Sequence, residues 1–407
     1  MTDSAPAADI ASPGVAARRS RPSPWHRPST DAELRVAAAW FDEHIVDVYQ
    51  ALTATSCGNR RLGDLVCAAG DQLPDLLPDR VTRKHDEELA PSERLRVERD
   101  QSRFLRALLR NPATAIPALA DMRTPLPESA AHAAQFQASG ELVLETVTLR
   151  RAANFVELTL ANTRTLNAET NQFVHDLEVA VDVVTMDPTT SVGVIRGAPM
   201  EHASYAGKRV FCAGINLKHL AAGKISYLDF LIGREAGVLS KLARGVHDLE
   251  TGHDVARLWI CVIDSFAIGG GMQLTLVVDH VIAVDDAWLS LPAASEGIVP
   301  GVANLRLPGR VGVPLARELI LRGRRLTGAE AMQAGLVDAV VCGADVDATV
   351  ESVAAALSEP AVAPNKLMLA HGIEPEDEFA TYLADFAVVQ AERMHARDVR
   401  RKLSSAP

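Results

Sequence analysis

Apolar residues recur along the chain with two different periods, and the change from one to the other divides it. Leu34, Ala38, Phe41, Ile45, Val48 and Leu52 fall on one face at helical spacing, behind Thr30-Asp31-Ala32-Glu33, whose Thr and Glu stand at capping-box distance. Residues 92–110 repeat the pattern with Phe104, Leu105, Leu108 and Leu109, and Asn111-Pro112 predicts a stop. Pro125 and Pro127 predict a linker. From Leu142 the period changes: Val143, Glu145, Val147 and Leu149, then 155–160, flank an Arg-Ala-Ala-Asn turn and predict a hairpin. Alternating strand and helix patterns follow to about residue 341, the order expected of βαβ units, and the remainder returns to helix, including 379–400. The expected organisation is a disordered tail at 1–28, a helical domain at 29–135, an α/β domain at 141–345 and a C-terminal helical region at 346–407, with no internal repeat.

Within the α/β part, Trp259-Ile260-Cys261-Val262-Ile263 is continuously apolar and β-branched, and predicts a buried strand. Phe266-Ala267-Ile268-Gly269-Gly270-Gly271 follows, and Met272, Leu274, Thr275, Leu276 and Val278 then fit a buried helix. Glycines at such a junction allow positive φ and bring backbone N–H groups close to a ligand oxygen. Taken alone they fit a plain strand-to-helix turn equally well. Val210-Phe211-Cys212-Ala213-Gly214-Ile215-Asn216-Leu217-Lys218, upstream, has the same organisation of strand, small-residue turn and helix.

Together these two segments resemble the paired oxyanion-hole segments of the crotonase (enoyl-CoA hydratase/isomerase) superfamily. The resemblance extends to 160–169, similar to the family's first CoA-contacting segment in which a strand ends before an Asn-Ala-opened helix. It extends also to Ile298-Val299-Pro300-Gly301 and to 324–338, and it covers about residues 141 to 345. It implies an α/β fold with a ββα superhelix core, here with helical regions added at both ends. It also implies an oxyanion hole made by the N–H groups of Ile215 and Gly270, facing a thioester carbonyl.

Hydratases of this superfamily use two glutamates, one just after the glycine turn and one seven residues before the Pro-Gly pair. Those positions here hold Gln273 and Ala293. An amide has no useful basicity near neutral pH and alanine has no acid or base function, while such groups typically contribute about 10²–10⁴-fold each. Hydration of an enoyl-CoA is therefore not expected, whereas stabilisation of a thioester enolate is. His202-Ala203-Ser204-Tyr205, 212–218, 232–237, 270–273 and 296–307 resemble one branch closely, which oxygenates dihydroxyphenylacetyl-CoA without a metal or organic cofactor in glycopeptide-antibiotic pathways. That branch also carries a long helical N-terminal region. The resemblance implies an enolate handed to O2, then a peroxide, attack on the thioester carbonyl, and release of CoA and an arylglyoxylate. Isomerisation, thioester hydrolysis and decarboxylation are the nearer alternatives, and a catalytically dead CoA- or RNA-binding scaffold the more distant one.

The resemblance carries individual residues with it. Ile215, Gly270 and Gln273 are expected at the reaction centre, with Glu169, His202, Ala213, Asn216, Lys218 and Arg234 in contact with substrate. Glu169 and Arg234 are expected to meet the two ring hydroxyls, since a carboxylate accepts and a guanidinium donates. Without the resemblance, an ordinary salt bridge or a solvated helix face would explain either. Lys218 is equally explained as a solvated lysine, and Gln273 as a cap or core amide. Glu169, His202, a water and the substrate's own phenolate all remain open as proton acceptor.

Composition narrows the rest. The 407 residues suffice for a full α/β core and an added domain, and a net charge of −11 argues against nonspecific nucleic-acid binding. No apolar run reaches the 18 to 20 or so residues of a membrane helix, and no signal peptide follows Arg18-Arg19. The five cysteines lack a Cys-x-x-Cys pair and are read as reduced thiols of a cytoplasmic protein. The twelve histidines show no metal-ligand spacing, and no flavin or nicotinamide fingerprint is present. No cofactor is expected beyond O2 and an acyl-CoA as substrates, and the superfamily's C-terminal helices imply a homo-oligomer, a trimer or hexamer.

Overall fold

The computed structural model describes residues 27–54 and 60–399; most of the tail expected at 1–28, and Cys57, lie outside them. The described residues form two compact units, one from those up to 122 together with 380–395, the other from 123–379 together with 396–399.

The first unit is helical. Its leading helix, Asp31–Ala54, opens on the expected capping box: Glu33 N donates to Thr30 Oγ1 at 3.3 Å, and Thr30 N donates to Glu33 Oε2 at 2.8 Å. Leu34, Phe41, Ile45, Val48 and Leu52 are buried, joined by Ala37 and Trp40. Phe41 meets Phe104 of the helix Glu98–Arg110 edge to face, 5.4 Å between ring centres. Asn111 ends that helix, but Pro112 also starts the next, Pro112–Arg123, because proline's fixed φ and missing N–H suit a first helical position. Residues 380–395 are held by Arg110–Asp385 at 2.5 Å, Arg99–Glu392 at 3.0 Å and His395–Glu98 at 2.8 Å.

The second unit is built on a seven-stranded sheet. Its strands are β1 Glu141–Val143, β2 Val147–Arg151, β3 Val156–Leu160, β4 Val192–Gly197, β7 Leu258–Ile263, β9 His280–Val284 and β12 Ala339–Val341, in that spatial order. A two-stranded hairpin, β5 Val246–Asp248 and β6 His253–Val255, stands apart from it. β1, β2 and β3 are antiparallel, and the expected hairpin turn closes with Ala152 N donating to Phe155 O at 2.9 Å. From β3 onward every pairing is parallel, and β7 is buried along its whole length, as its unbroken apolar sequence requires.

A smaller sheet carries the glycine turn. It runs β11 Leu326–Thr327, β10 Trp288–Ser290, β8 Phe266–Ile268, and two extended stretches continue it. Cys212 bridges Ala267 and Ile215 bridges Glu169, both in parallel sense. Backbone of 166–169, 212–216 and 266–268 thus lies side by side.

One local feature departs from the sequence reading, and a second was not anticipated by it. No helix opens at Asn167-Ala168; Leu166 and Asn167 take left-handed φ of 58° and 55°, and Asn167 Nδ2 donates to Val210 O at 2.8 Å. The helix begins at Asn171, where Thr170 Oγ1 caps Phe173 N. The helix through 227–244 is widened to π geometry over Tyr227–Ile232 and Glu235–Leu239, on either side of Arg234. Such widening often marks functional positions. Nearby, buried Lys241 pairs with Asp182 at 2.7 Å and Glu178 at 2.9 Å, while Leu126 N and Ser129 Oγ donate to Asp182 Oδ2, pinning the expected linker. No helix among the described residues is long and apolar enough to cross a membrane.

Candidate active site

Gly214 and Gly269 bring the two glycine-bearing turns into contact. Gly214 has φ 83°, and an ideal Cβ there would lie 3.0 Å from Ile268 O and 3.3 Å from Gly270 N, so a side chain would part the turns. Gly269 has φ 54° with ψ −114°, a conformation that favours glycine. The hydrogen bonds on each side of Ile215 run to Gly214 O and from Asn216 N, both pairing with Glu169. Among the described residues neither Ile215 N nor Gly270 N has an acceptor within the protein. Two adjacent backbone donors therefore remain for a ligand oxygen.

Beside them Glu169, Arg234, Glu235 and Gln273 form a buried cluster, with relative exposures of 1, 3, 2 and 8%. Arg234 donates from Nε and Nη2 to Glu169 Oε1 at 3.0 and 2.8 Å, and from Nη2 to Gly270 O at 2.8 Å. Its Nη1 donates to Glu235 Oε1 and Gln273 Oε1, each at 3.1 Å. These are five bonds, and a guanidinium has five N–H donors. A substrate hydroxyl could take a hydrogen bond from Arg234 only by displacing a protein acceptor, which is where the geometry differs from the ring contact expected of this residue. Glu169 and Arg234 are brought together, as each other's partner.

Arg234 orients the groups it holds. It engages Glu169 through Oε1, while Oε2 faces Gly270: an ideal Cβ on Gly270 would come within 1.7 Å of that oxygen. It engages Gln273 through the amide oxygen, leaving the Nε2 donors for another acceptor. Ala293, at the other position where hydratases carry a glutamate, is buried and starts the short helix Ala293–Glu296.

The remaining expected residues are placed differently. Asn216 caps the helix Leu217–Ala221, its Oδ1 accepting from His219 N at 3.1 Å. Lys218 is exposed on that helix, and Ala213 lies half-buried in the extended stretch. His202 caps a turn at Ala203–Tyr205, accepting from Ser204 N at 3.3 Å, with its ring 6.2 Å from that of Tyr205. No described contact joins His202 to the cluster. Cys212 is fully buried behind the glycines, and burial pushes its thiol well above the ordinary range. Among the described residues no three His, Cys, Asp or Glu side chains are grouped to hold a metal ion.

Sequence reasoning missed Glu235, Arg306 and Glu374. Glu235 Oε2 accepts from Val302 N at 3.2 Å and lies 3.8 Å from Arg306, which forks onto Glu374 at 2.7 and 3.1 Å. Arg244 reaches Glu374 from the other side at 3.0 Å. Burial pushes the Glu235 carboxyl up, against the pull of Arg234 and Arg306. The adjacent Arg234-Glu235 pair was a detectable signal, though not one that revealed its partners.

The sequence profile of the family described as enoyl-CoA hydratase/isomerase matches residues 150–401. The chain belongs to the enoyl-CoA hydratase/isomerase family. It is 42% identical, over 376 residues, to (3,5-dihydroxyphenyl)acetyl-CoA 1,2-dioxygenase of Amycolatopsis orientalis, covering 91% of this chain and 86% of that protein. It is 34% identical over 161 residues to carnitinyl-CoA dehydratase of Proteus mirabilis, covering 39% of this chain and 54% of that one. Among solved structures, a family member from Mycobacterium paratuberculosis aligns with a TM-score of 0.52 at 22% identity, over 65% of this chain and 99% of its own. OdaA of Pseudomonas aeruginosa aligns with a TM-score of 0.54 at 22% identity, over 64% and 98%. The crotonase fold is thereby shared.

Proposed function

We propose that this family member is a dioxygenase that converts (3,5-dihydroxyphenyl)acetyl-CoA and O2 to (3,5-dihydroxyphenyl)glyoxylate and free CoA. The observation that carries the reading is the 42% identity to the Amycolatopsis dioxygenase across 91% of the chain. The cluster at the glycine turns supplies a mechanism. Ile215 N–H and Gly270 N–H receive the thioester oxygen as it becomes an enolate oxygen, and one such donor is typically worth about 2.7–4 kcal/mol of barrier. The α C–H is acidified by both the thioester and the aryl ring, so a carboxylate suffices to remove it. Glu169 Oε2 is the acceptor beside Gly270, while His202 sits in a turn with no described link to the cluster.

The electron-rich carbanion passes an electron to O2, and the resulting radicals combine at the α-carbon as a peroxide. The peroxide attacks the thioester carbonyl and expels CoA as a thiolate, which takes up a proton; the O–O bond then breaks as the second α C–H gives its proton to a base, so that both oxygens remain in the keto acid. No metal or organic cofactor is needed, because the substrate itself is the reductant. Gln273 Nε2 donates to the aryl group or the reacting oxygen. Ala213, Asn216 and Lys218 line the approach of CoA. We place the enzyme in the cytoplasm as a homo-oligomer, trimer or hexamer, that supplies an arylglyoxylate to antibiotic biosynthesis.

Isomerase, thioesterase and decarboxylase readings share the enolate but not the oxygen. Product analysis with and without O2 decides among them. Arylglyoxylate formed only in its presence supports the reading, and arylacetate or an isomerised thioester formed without O2 overturns it.

A further inference from the structure

We propose that Glu235 is a positioning residue for this chemistry, fixing Arg234 and through it the Glu169 carboxylate and the Gln273 amide; the inference rests on the enolate reading above. Neighbouring side chains of a regular helix diverge by about 100° and do not normally meet. Here the helix is widened on both sides of Arg234, and Arg234 Nη1 reaches Glu235 Oε1 at 3.1 Å. The same Nη1 holds Gln273 Oε1, so Glu235 and Gln273 share one donor nitrogen.

A second contact aligns these two oxygens. Gly301 has φ 47°, and an ideal Cβ there would come within 2.0 Å of Glu235 Oε1 and 2.7 Å of Gln273 Oε1. Both oxygens therefore pack against the bare Cα of one turn, and the next residue of that turn, Val302, donates its N–H to Glu235 Oε2 at 3.2 Å. Glu235 thus links the Pro300-Gly301-Val302 turn to Arg234 with both of its oxygens.

Charge gives the arrangement its consequence. Glu169, Arg234, Glu235, Arg306, Glu374 and Arg244 alternate in sign along a buried chain of ion pairs. Removing the charge at Glu235 leaves Arg234 with Glu169 as its one carboxylate partner, drawing Glu169 further into the ion pair and away from a substrate proton. Where the replacing amide turns its N–H groups towards Arg234, a donor on Nη1 also loses its acceptor, and the hold on Gln273 through the same nitrogen is weakened.

Glu235→Gln tests this with little change of shape, because the amide must face either Arg234 Nη1 or Val302 N with its own N–H groups. The measurements are kcat and KM for O2 uptake with the dihydroxyphenylacetyl thioester, anaerobic exchange of the α-proton in D2O, and melting temperature. We expect kcat and the exchange rate to fall together by about 10- to 100-fold, from the loss of one charge-assisted bond, with KM within about threefold and an intermediate rate in Glu235→Asp. Wild-type kcat and exchange in folded Glu235→Gln overturn the proposal, as does a loss of activity that merely follows the loss of folded protein. If Glu235→Gln does not fold, Glu235→Asp decides: a lowered kcat at unchanged KM supports the role and a wild-type kcat overturns it. Exchange requires no O2, so it tests Glu235 even if O2 uptake by the wild type fails and the dioxygenase reading falls.

Discussion

Glu169 Oε2 occupies the space that a Cβ on Gly270 would need, the two falling 1.7 Å apart. One residue supplies a backbone N–H to the proposed enolate oxygen and the other a carboxylate beside it, so disturbing either displaces both. Gly270→Ala is therefore expected to lower kcat for O2 uptake by at least about 100-fold, the scale of losing an oxyanion donor. Anaerobic α-proton exchange should fall with it. Exchange at the wild-type rate would show that the contact has no part in enolisation.

Gln273→Glu adds a carboxylate where Glu169 and Glu235 already share Arg234. Like charges in a buried site disfavour ionisation, and the amide donors are lost. Oxygenation should fall by about 10-fold or more, and hydration of crotonyl-CoA should not appear, because Ala293 leaves the second glutamate missing. Efficient hydration by the variant or the wild type, followed by loss of the enoyl absorbance, would contradict this account of the site.

Arg234→Lys keeps the charge but replaces five planar donors with three. All five have protein acceptors in the buried cluster, so the variant should lose stability as well as activity. Breaking a buried pair costs roughly 3–5 kcal/mol, which corresponds to a fall in melting temperature on the order of 10 °C for a domain of this size. An unchanged melting temperature with lost activity would instead point to direct contact with substrate.

What the sequence made readable was whatever is encoded locally. Trp259–Ile263 declares a buried strand because no polar residue interrupts it, and Thr30 with Glu33 declares a helix start because both ends of the motif lie within four residues. Gly214 and Gly269-Gly270-Gly271 were readable because close backbone approach excludes other residues. Arg234 and Glu169 could be named, but not the saturation of Arg234, which depends on acceptors at 169, 235, 270 and 273. Glu235 offered only its adjacency to Arg234, because its partners at 302 and 306 are joined to it only by folding. Burial of a charge is set by tertiary partners rather than by neighbours in sequence. Asn167 misled because an Asn-Ala pair suits a helix start, whereas here its amide serves the backbone at 210 and 211 in a left-handed turn.

In the helical unit, burial raises the Asp100 carboxyl to about 7, with Ser29 Oγ donating to it at 2.7 Å. The folded state therefore keeps a proton that the unfolded chain releases near pH 4. The stability this contributes is complete in acid and is lost as pH rises from about 4 towards 7, at about 1.4 kcal/mol per unit. Asp100→Asn removes that dependence. Its melting temperature relative to wild type should rise between about pH 4.5 and about 7 and level off above that, and a constant difference across that range would contradict the assignment.

Direct transfer of a thioester enolate to O2 is tested most plainly by isotope labelling with metal-stripped protein. Incubation of (3,5-dihydroxyphenyl)acetyl-CoA under 18O2 after exhaustive chelation should consume one O2 per CoA released, with both labelled atoms in the arylglyoxylate by mass spectrometry. Release of CoA without O2 consumption, or turnover that returns only when a metal is added back, would contradict it.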